Sequence, residues 1–177
     1  MVTELQRRKY EKAFDRFDAD DDGIIDETDI LAMAQLWCST FDVAPRSEGW
    51  KKINSLANKM WRDLQGTVDA DGNKTVAKEE WDAAMGDPDF VETVALPFAL
   101  AAFDLADKDG SGQLTVDEMI AAQSKAGMSE EESREVFDKL DTDGDGYVTR
   151  DEYAQAVREF YLSDDPNAAG NLMAGNI

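Results

Sequence analysis

Four acidic segments of twelve residues constrain this chain more than anything else in it. The clearest runs from Asp141 to Glu152. Oxygen-bearing side chains stand at its positions 1, 3 and 5 (Asp141, Asp143, Asp145), and Gly146 stands at position 6, where the backbone must turn sharply. Tyr147 at position 7 offers a backbone carbonyl. Thr149 at position 9 can hold a water, and Glu152 at position 12 is long enough to reach back with both carboxylate oxygens. A hard cation such as calcium takes about six to eight oxygens at ~2.3–2.6 Å, and this spacing supplies them. Phe137 and Leu140 before the segment, and Tyr153, Val157 and Phe160 after it, fall at helical spacing. The unit reads as helix, loop, helix.

The pattern repeats. A second clean copy spans 107–118: Asp107, Asp109, Ser111, the Gln113 carbonyl and Glu118 are its ligands, with Gly112 at the turn. A third spans 18–29, with Asp18, Asp20, Asp22, the Ile24 carbonyl and Asp29. A degraded fourth spans 69–80, with Asp69, Asp71, Asn73, the Thr75 carbonyl and Glu80. Each has an apolar residue at position 8: Ile25, Val76, Leu114 and Val148.

On these residues the chain resembles the EF-hand calcium-binding proteins over almost its whole length. The resemblance implies an all-α fold of four EF-hands in two pairs, with short β-strands pairing the loops. The expected organisation is an N-terminal pair over 1–86, a C-terminal pair over 87–163, and a tail over 164–177 packed on the globule. The tail's large apolar residues are Leu172, Met173 and Ile177. The wide gap between the first two loops, and the Ser-Asp-Asp-Pro-Asn stretch at 163–167, are similar to the sarcoplasmic, calerythrin-like and aequorin-like branch. That branch implies one compact globule rather than the dumbbell of calmodulin-type proteins.

Two loops depart from the pattern. Asp29 at position 12 is one methylene shorter than glutamate. It either binds through one oxygen or draws its helix inward, and both shift the site toward magnesium or weaker calcium. Asp26 at position 9 adds a carboxylate. Two carboxylates about 4 Å apart repel by roughly 4 kcal/mol at an effective dielectric of ~20, so a cluster like this makes little sense without a cation. In the second loop Lys74 occupies position 6, where a side chain costs about 1–2 kcal/mol in a left-handed backbone. Gly72 at position 4 can relax that turn. Two readings stand for this loop: an occupied site, or a structural loop that only pairs with the first. The expected cofactor is three or four Ca2+ ions, with Mg2+ as an alternative in the first loop.

The formal charge is −21, from 39 acidic and 18 basic residues. That disfavours nucleic acid and anionic membrane surfaces as partners. The chain contains no histidine, which removes imidazole zinc sites and Ser-His or Cys-His nucleophile pairs. No enzyme activity is expected. The lone cysteine, Cys38, reads as a small apolar residue on a helix. No apolar run approaches the ~20 residues needed to span a bilayer, and no apolar signal region follows the basic N-terminal residues. A cytoplasmic monomer is the expectation, with calcium ions as partners and any protein target unspecified.

Three functional readings remain: a calcium buffer or carrier, a sensor that exposes an apolar groove, and a carrier of a small hydrophobic ligand. The four tryptophans and most of the seven methionines suit either core packing or a ligand pocket. The compact family resemblance and the lack of a methionine-dense patch favour the buffer. The bioluminescent relatives surround their ligand with histidines, which this chain lacks.

The helix pattern is legible at several points. The first helix starts near Thr3. A stripe of Ile30, Ala34, Trp37 and Phe41 follows the first loop, and Ser47 caps the longest helix after a break at 42–46. Asp89 and Glu92 read as a capping pair, Pro97 as a kink or local break, and Ser129 with Glu132 as a capping box. The last long helix stops near Ser163, ahead of Pro166.

Overall fold

Thr3 accepts a hydrogen bond from the Gln6 amide, and the Gln6 side chain accepts one from Thr3 N–H. This box satisfies two amides that a helix start leaves free and opens α1 (Glu4–Phe17). The computed structural model describes residues 2–125 and 127–174. Ile177, expected to anchor the tail, lies outside the described residues.

After α1 come β1 (Ile24–Ile25) and α2 (Glu27–Thr40). Phe41, expected on the α2 stripe, is instead the residue that ends the helix. Ser47 accepts from the Trp50 amide and starts α3 (Glu48–Thr67), which buries Ile53, Ala57, Met60, Trp61 and Leu64. Then follow β2 (Val76–Ala77) and α4 (Lys78–Ala84).

The capping pair at Asp89 and Glu92 is a correction. Asp87 caps α5 (Pro88–Phe90), accepting from the Asp89 amide, with Pro88 at the first helical position. Proline is favoured there because its missing N–H has no partner to lose. Glu92 instead pairs with Arg158 through two hydrogen bonds. The irregularity expected at Pro97 is a π-helical stretch, Val91–Ala95, whose widened turn lets Leu96 N–H donate to the Val91 carbonyl. It leads into α6 (Leu96–Ala106).

The second half continues with β3 (Gln113–Leu114), α7 (Val116–Ser124), α8 (Glu130–Leu140), β4 (Val148–Thr149) and α9 (Arg150–Leu162). Both strand pairs are antiparallel: Ile25 faces Val76, and Leu114 faces Val148. These four position-8 residues are buried, so each pair of loops sits back to back over apolar side chains.

The core is shared between the halves. Phe160 of α9 belongs to the cluster built on α1, α3 and α4, with Tyr161 and Leu162 packed against it. Trp81 of α4 lies edge-on to Phe14 and donates from Nε1 to the Tyr10 carbonyl at 3.1 Å. Three α1 side chains close carbonyls at the end of α9. Gln6 donates to Leu162 O at 3.3 Å, Lys9 to Glu159 O at 3.3 Å and Ser163 O at 2.9 Å, and Tyr10 to Tyr161 O at 2.8 Å. Lys125, just after α7, donates to the Thr40 carbonyl and so closes the end of α2.

A 3-10 turn, Ala169–Ala174, lies along α9. Gly170 approaches so closely that a Cβ would fall 2.1 Å from the Ala156 carbonyl oxygen. Met173 packs against all the apolar clusters.

Candidate metal centres

All four loops share one backbone conformation. Position 6 is left-handed throughout, with φ of +88° at Gly23, +68° at Lys74, +82° at Gly112 and +89° at Gly146. In each loop the position-1 carboxylate accepts from the position-6 amide: Asp18 from Gly23 at 2.9 Å, Asp69 from Lys74 at 3.0 Å, Asp107 from Gly112 at 2.8 Å, and Asp141 from Gly146 at 3.0 Å. The degraded second loop therefore keeps the register expected of it, and Lys74 bears the backbone conformation that glycine takes elsewhere. Position 4 is also left-handed in every loop, at Asp21, Gly72, Gly110 and Gly144. The recurrent glycine there was the available signal for this second turn.

Position 12 is held by two backbone amides. Glu152 accepts from Thr142 N and Thr149 N, each at 2.9 Å. Glu118 accepts from Lys108 N at 3.0 Å and Thr115 N at 2.9 Å, and Glu80 from Ala70 N at 2.8 Å and Ala77 N at 2.9 Å. Asp29 reaches the equivalent donors, Ala19 N at 2.9 Å and Asp26 N at 2.8 Å, despite its shorter side chain. The role of these position-2 and position-9 amides is not visible in a list of oxygen ligands.

Carboxylate oxygens converge to within 4.8 Å in four groups: Asp18, Asp20 and Asp22; Asp69, Asp71 and Glu80; Asp107, Asp109 and Glu118; Asp141, Asp143 and Glu152. Ligands on opposite sides of a calcium ion stand about 4.6–5.2 Å apart, twice its ~2.3–2.6 Å contact distance, so the grouping fits that ion. The first loop differs as its sequence does. Its group is drawn from positions 1, 3 and 5, and the shorter Asp29 is not a member.

Other donors lie close by. Ser111 donates to the Gln113 carbonyl at 2.9 Å, bringing the position-5 and position-7 oxygens together. Ile24 and Gln113 lie in the strands, while Thr75 and Tyr147 immediately precede them. Position 9 serves the helix that follows. Thr149 accepts from the Glu152 amide, and Asp26 accepts from Thr28 N at 2.6 Å. Asp26 is thus a helix cap and stands outside the converging oxygens.

Electrostatics agree with a cation site. Desolvation and the neighbouring Asp22 carboxylate push the Asp20 pKa up. Burial alone would raise Glu152, but hydrogen bonds from Thr149 and Thr142 outweigh it and bring its pKa down to about 2. That carboxylate is charged at neutral pH.

Residues 99–158 match the family model described as an EF-hand domain pair. The structure is similar to a Streptomyces coelicolor calcium-binding protein at 33% identity, covering 90% of this chain and 99% of that one, with a TM-score of 0.75. This chain belongs to the EF-hand calcium-binding proteins. The EF-hand fold also matches a sarcoplasmic calcium-binding protein from amphioxus along the full length of both chains, with a TM-score of 0.77 at 19% identity. The chain is 28% identical over 118 residues to the Oryza sativa protein named "Probable calcium-binding protein CML13". That match covers 64% of this chain and 58% of the rice protein, so the chain spans less than two thirds of that relative.

Proposed function

We propose that this EF-hand protein is a non-enzymatic calcium buffer or carrier, a cytoplasmic monomer that chelates reversibly. Its units are the loop pairs over 1–86 and 87–163 and the tail over 164–177. The third and fourth loops bind calcium through Asp107, Asp109, Ser111, the Gln113 carbonyl and Glu118, and through Asp141, Asp143, Asp145, the Tyr147 carbonyl and Glu152. In the second loop the ligands are Asp69, Asp71, Asn73, the Thr75 carbonyl and Glu80. In the first they are Asp18, Asp20, Asp22, the Ile24 carbonyl and Asp29, with magnesium competing. Three or four ions bind in all. The strong negative charge supports a protein that avoids nucleic acid and anionic membranes.

Bound calcium supplies the positive charge that offsets repulsion among the loop carboxylates. The backbone amides hold the Glu118 and Glu152 carboxylates charged, and the position-12 carboxylates of all four loops in place. At a free ion concentration 100-fold above the dissociation constant, each occupied site adds about 2.7 kcal/mol to stability.

The observation that carries the buffer over the sensor is the set of bonds from α1 to the end of α9. A sensor must swing its helices apart to expose a groove. Here the helix entering the first loop is fastened to the helix leaving the fourth, and Phe160 of α9 packs into the cluster that holds the apolar side chains of α1.

Calorimetric calcium titration of the decalcified protein, with and without millimolar magnesium and with a hydrophobic dye, tests this. Three or four tight sites, magnesium competition in the first loop and steady dye binding are expected. A calcium-driven rise in dye binding, with a partner protein that chelator releases, would establish a sensor instead.

A further inference from the structure

A cavity of about 390 Å³ lies between α1, α2, α6 and α9, with Met173 of the tail against it. Its interior is apolar and aromatic: Trp37 stacks on Phe98 at 4.6 Å, and Phe98 lies 5.6 Å from Phe17. Ligand pockets are mostly apolar cavities of this size with a few placed polar groups. In a protein with 39 acidic residues, no acidic side chain among the described residues lines this cavity. The charged residue there is Arg16.

Arg16 has donors to spare. A guanidinium carries about five N–H groups. Among the described residues, Arg16 donates one hydrogen bond, to the Met173 carbonyl at 3.2 Å, and forms no ion pair. Side chains packed around the guanidinium desolvate it in part and lower the Arg16 pKa from its ordinary value. Tyr153 and Tyr161 also line the cavity, and neither hydroxyl has a hydrogen-bond partner among the described residues. Arg16 and Leu36 are both cavity-lining and exposed, so the cavity opens to solvent beside them. The charge thus stands at the mouth and the apolar walls lie behind it.

We propose that this cavity binds a small amphipathic anion, a medium-chain carboxylate by class, with its headgroup on Arg16 and its alkyl chain between Trp37, Phe98 and Val157. The planar guanidinium fork matches a carboxylate with two parallel hydrogen bonds, which an ammonium or alcohol headgroup cannot accept in that way. The two phenols supply further donors to the same headgroup. This ligand site goes beyond the calcium-buffer reading and does not depend on it, because the loop ligands do not line the cavity.

The test is calorimetric titration of calcium-loaded protein, freed of excess calcium, with decanoate, decanol and decyltrimethylammonium. Decanoate should bind at one site per chain and tighter than the other two. Arg16→Gln should weaken decanoate about 10–100-fold, the scale of a lost charge-assisted hydrogen bond, and leave decanol unchanged. Ala102→Phe should fill the cavity and abolish binding of both. Calcium titration of each variant verifies that its loops are intact, and the headgroup series on the unaltered protein stands if a variant fails to fold. Equal affinity for the three headgroups, no saturable binding, or full decanoate affinity in a folded Arg16→Gln protein would overturn the proposal.

Discussion

The ammonium of Lys9 donates to the carbonyl of Ser163 at 2.9 Å, across 154 positions of sequence. The Lys9 side chain is fully buried, yet among the described residues it has no carboxylate at salt-bridge distance. Its partners are carbonyls at the end of α9, where the helix dipole is negative and free acceptors accumulate. A buried lysine at this point acts as a cap delivered from the opposite end of the chain.

Replacing Lys9 should therefore be costly. Lys9→Ala removes a buried stem and leaves Ser163 O without this donor, at about 2 kcal/mol. Lys9→Met keeps the stem and should lose roughly half as much. Thermal denaturation at fixed calcium checks both. An unchanged midpoint in Lys9→Ala would mean that the cap contributes nothing.

Lys74→Gly should stabilise the protein. The substitution relieves a side chain at φ +68° and removes a positive charge beside the second-loop carboxylates. The gain is about 1 kcal/mol after the extra unfolded-state freedom of glycine is counted. The same variant should bind calcium more tightly at this loop, and calorimetry reads both effects.

Asp29→Glu should bring a position-12 carboxylate into the first loop's converging oxygens, a group that Asp29 does not join. The expected result is about a tenfold gain in calcium affinity, equivalent to ~1.4 kcal/mol, with weaker competition from magnesium. A calcium titration in millimolar magnesium would show the competition disappear from one site.

Gly170→Ala should displace the tail. Its Cβ would lie 2.1 Å from Ala156 O and 2.7 Å from Phe160 N, both backbone atoms that cannot step aside cheaply. Overpacking of this kind costs about 1–3 kcal/mol. Limited proteolysis should cut the variant within 164–174 faster than the parent protein.

The loops were readable from sequence because each is a local code. Ligand spacing, a turn at position 6 and an apolar position 8 lie within twelve residues, and even Lys74 fell at its expected place. Local rules failed where two of them competed. Asp89 with Glu92 looked like a cap, but Pro88 set the helix start two residues earlier and Asp87 took the role. Long-range relationships left no such trace. Nothing near Lys9 or Tyr10 names the carbonyls they reach, because those partners depend on which helix ends meet in space. Nothing near Arg16 in the sequence marks it out, and its position at a cavity mouth emerges only when α2, α6 and α9 assemble around it.

The fastening of α1 to α9 also bears on how the protein is made. The apolar face of α1 leaves the ribosome well before its partners, because Phe160 and the carbonyls that Gln6, Lys9 and Tyr10 seek emerge some 150 residues later. The N-terminal loop pair must wait through that interval with part of its core uncovered, a high-separation contact of the kind that slows folding. Nascent chains released before residue 160 should be the aggregation-prone species, and anything that speeds completion of α9 should raise soluble yield.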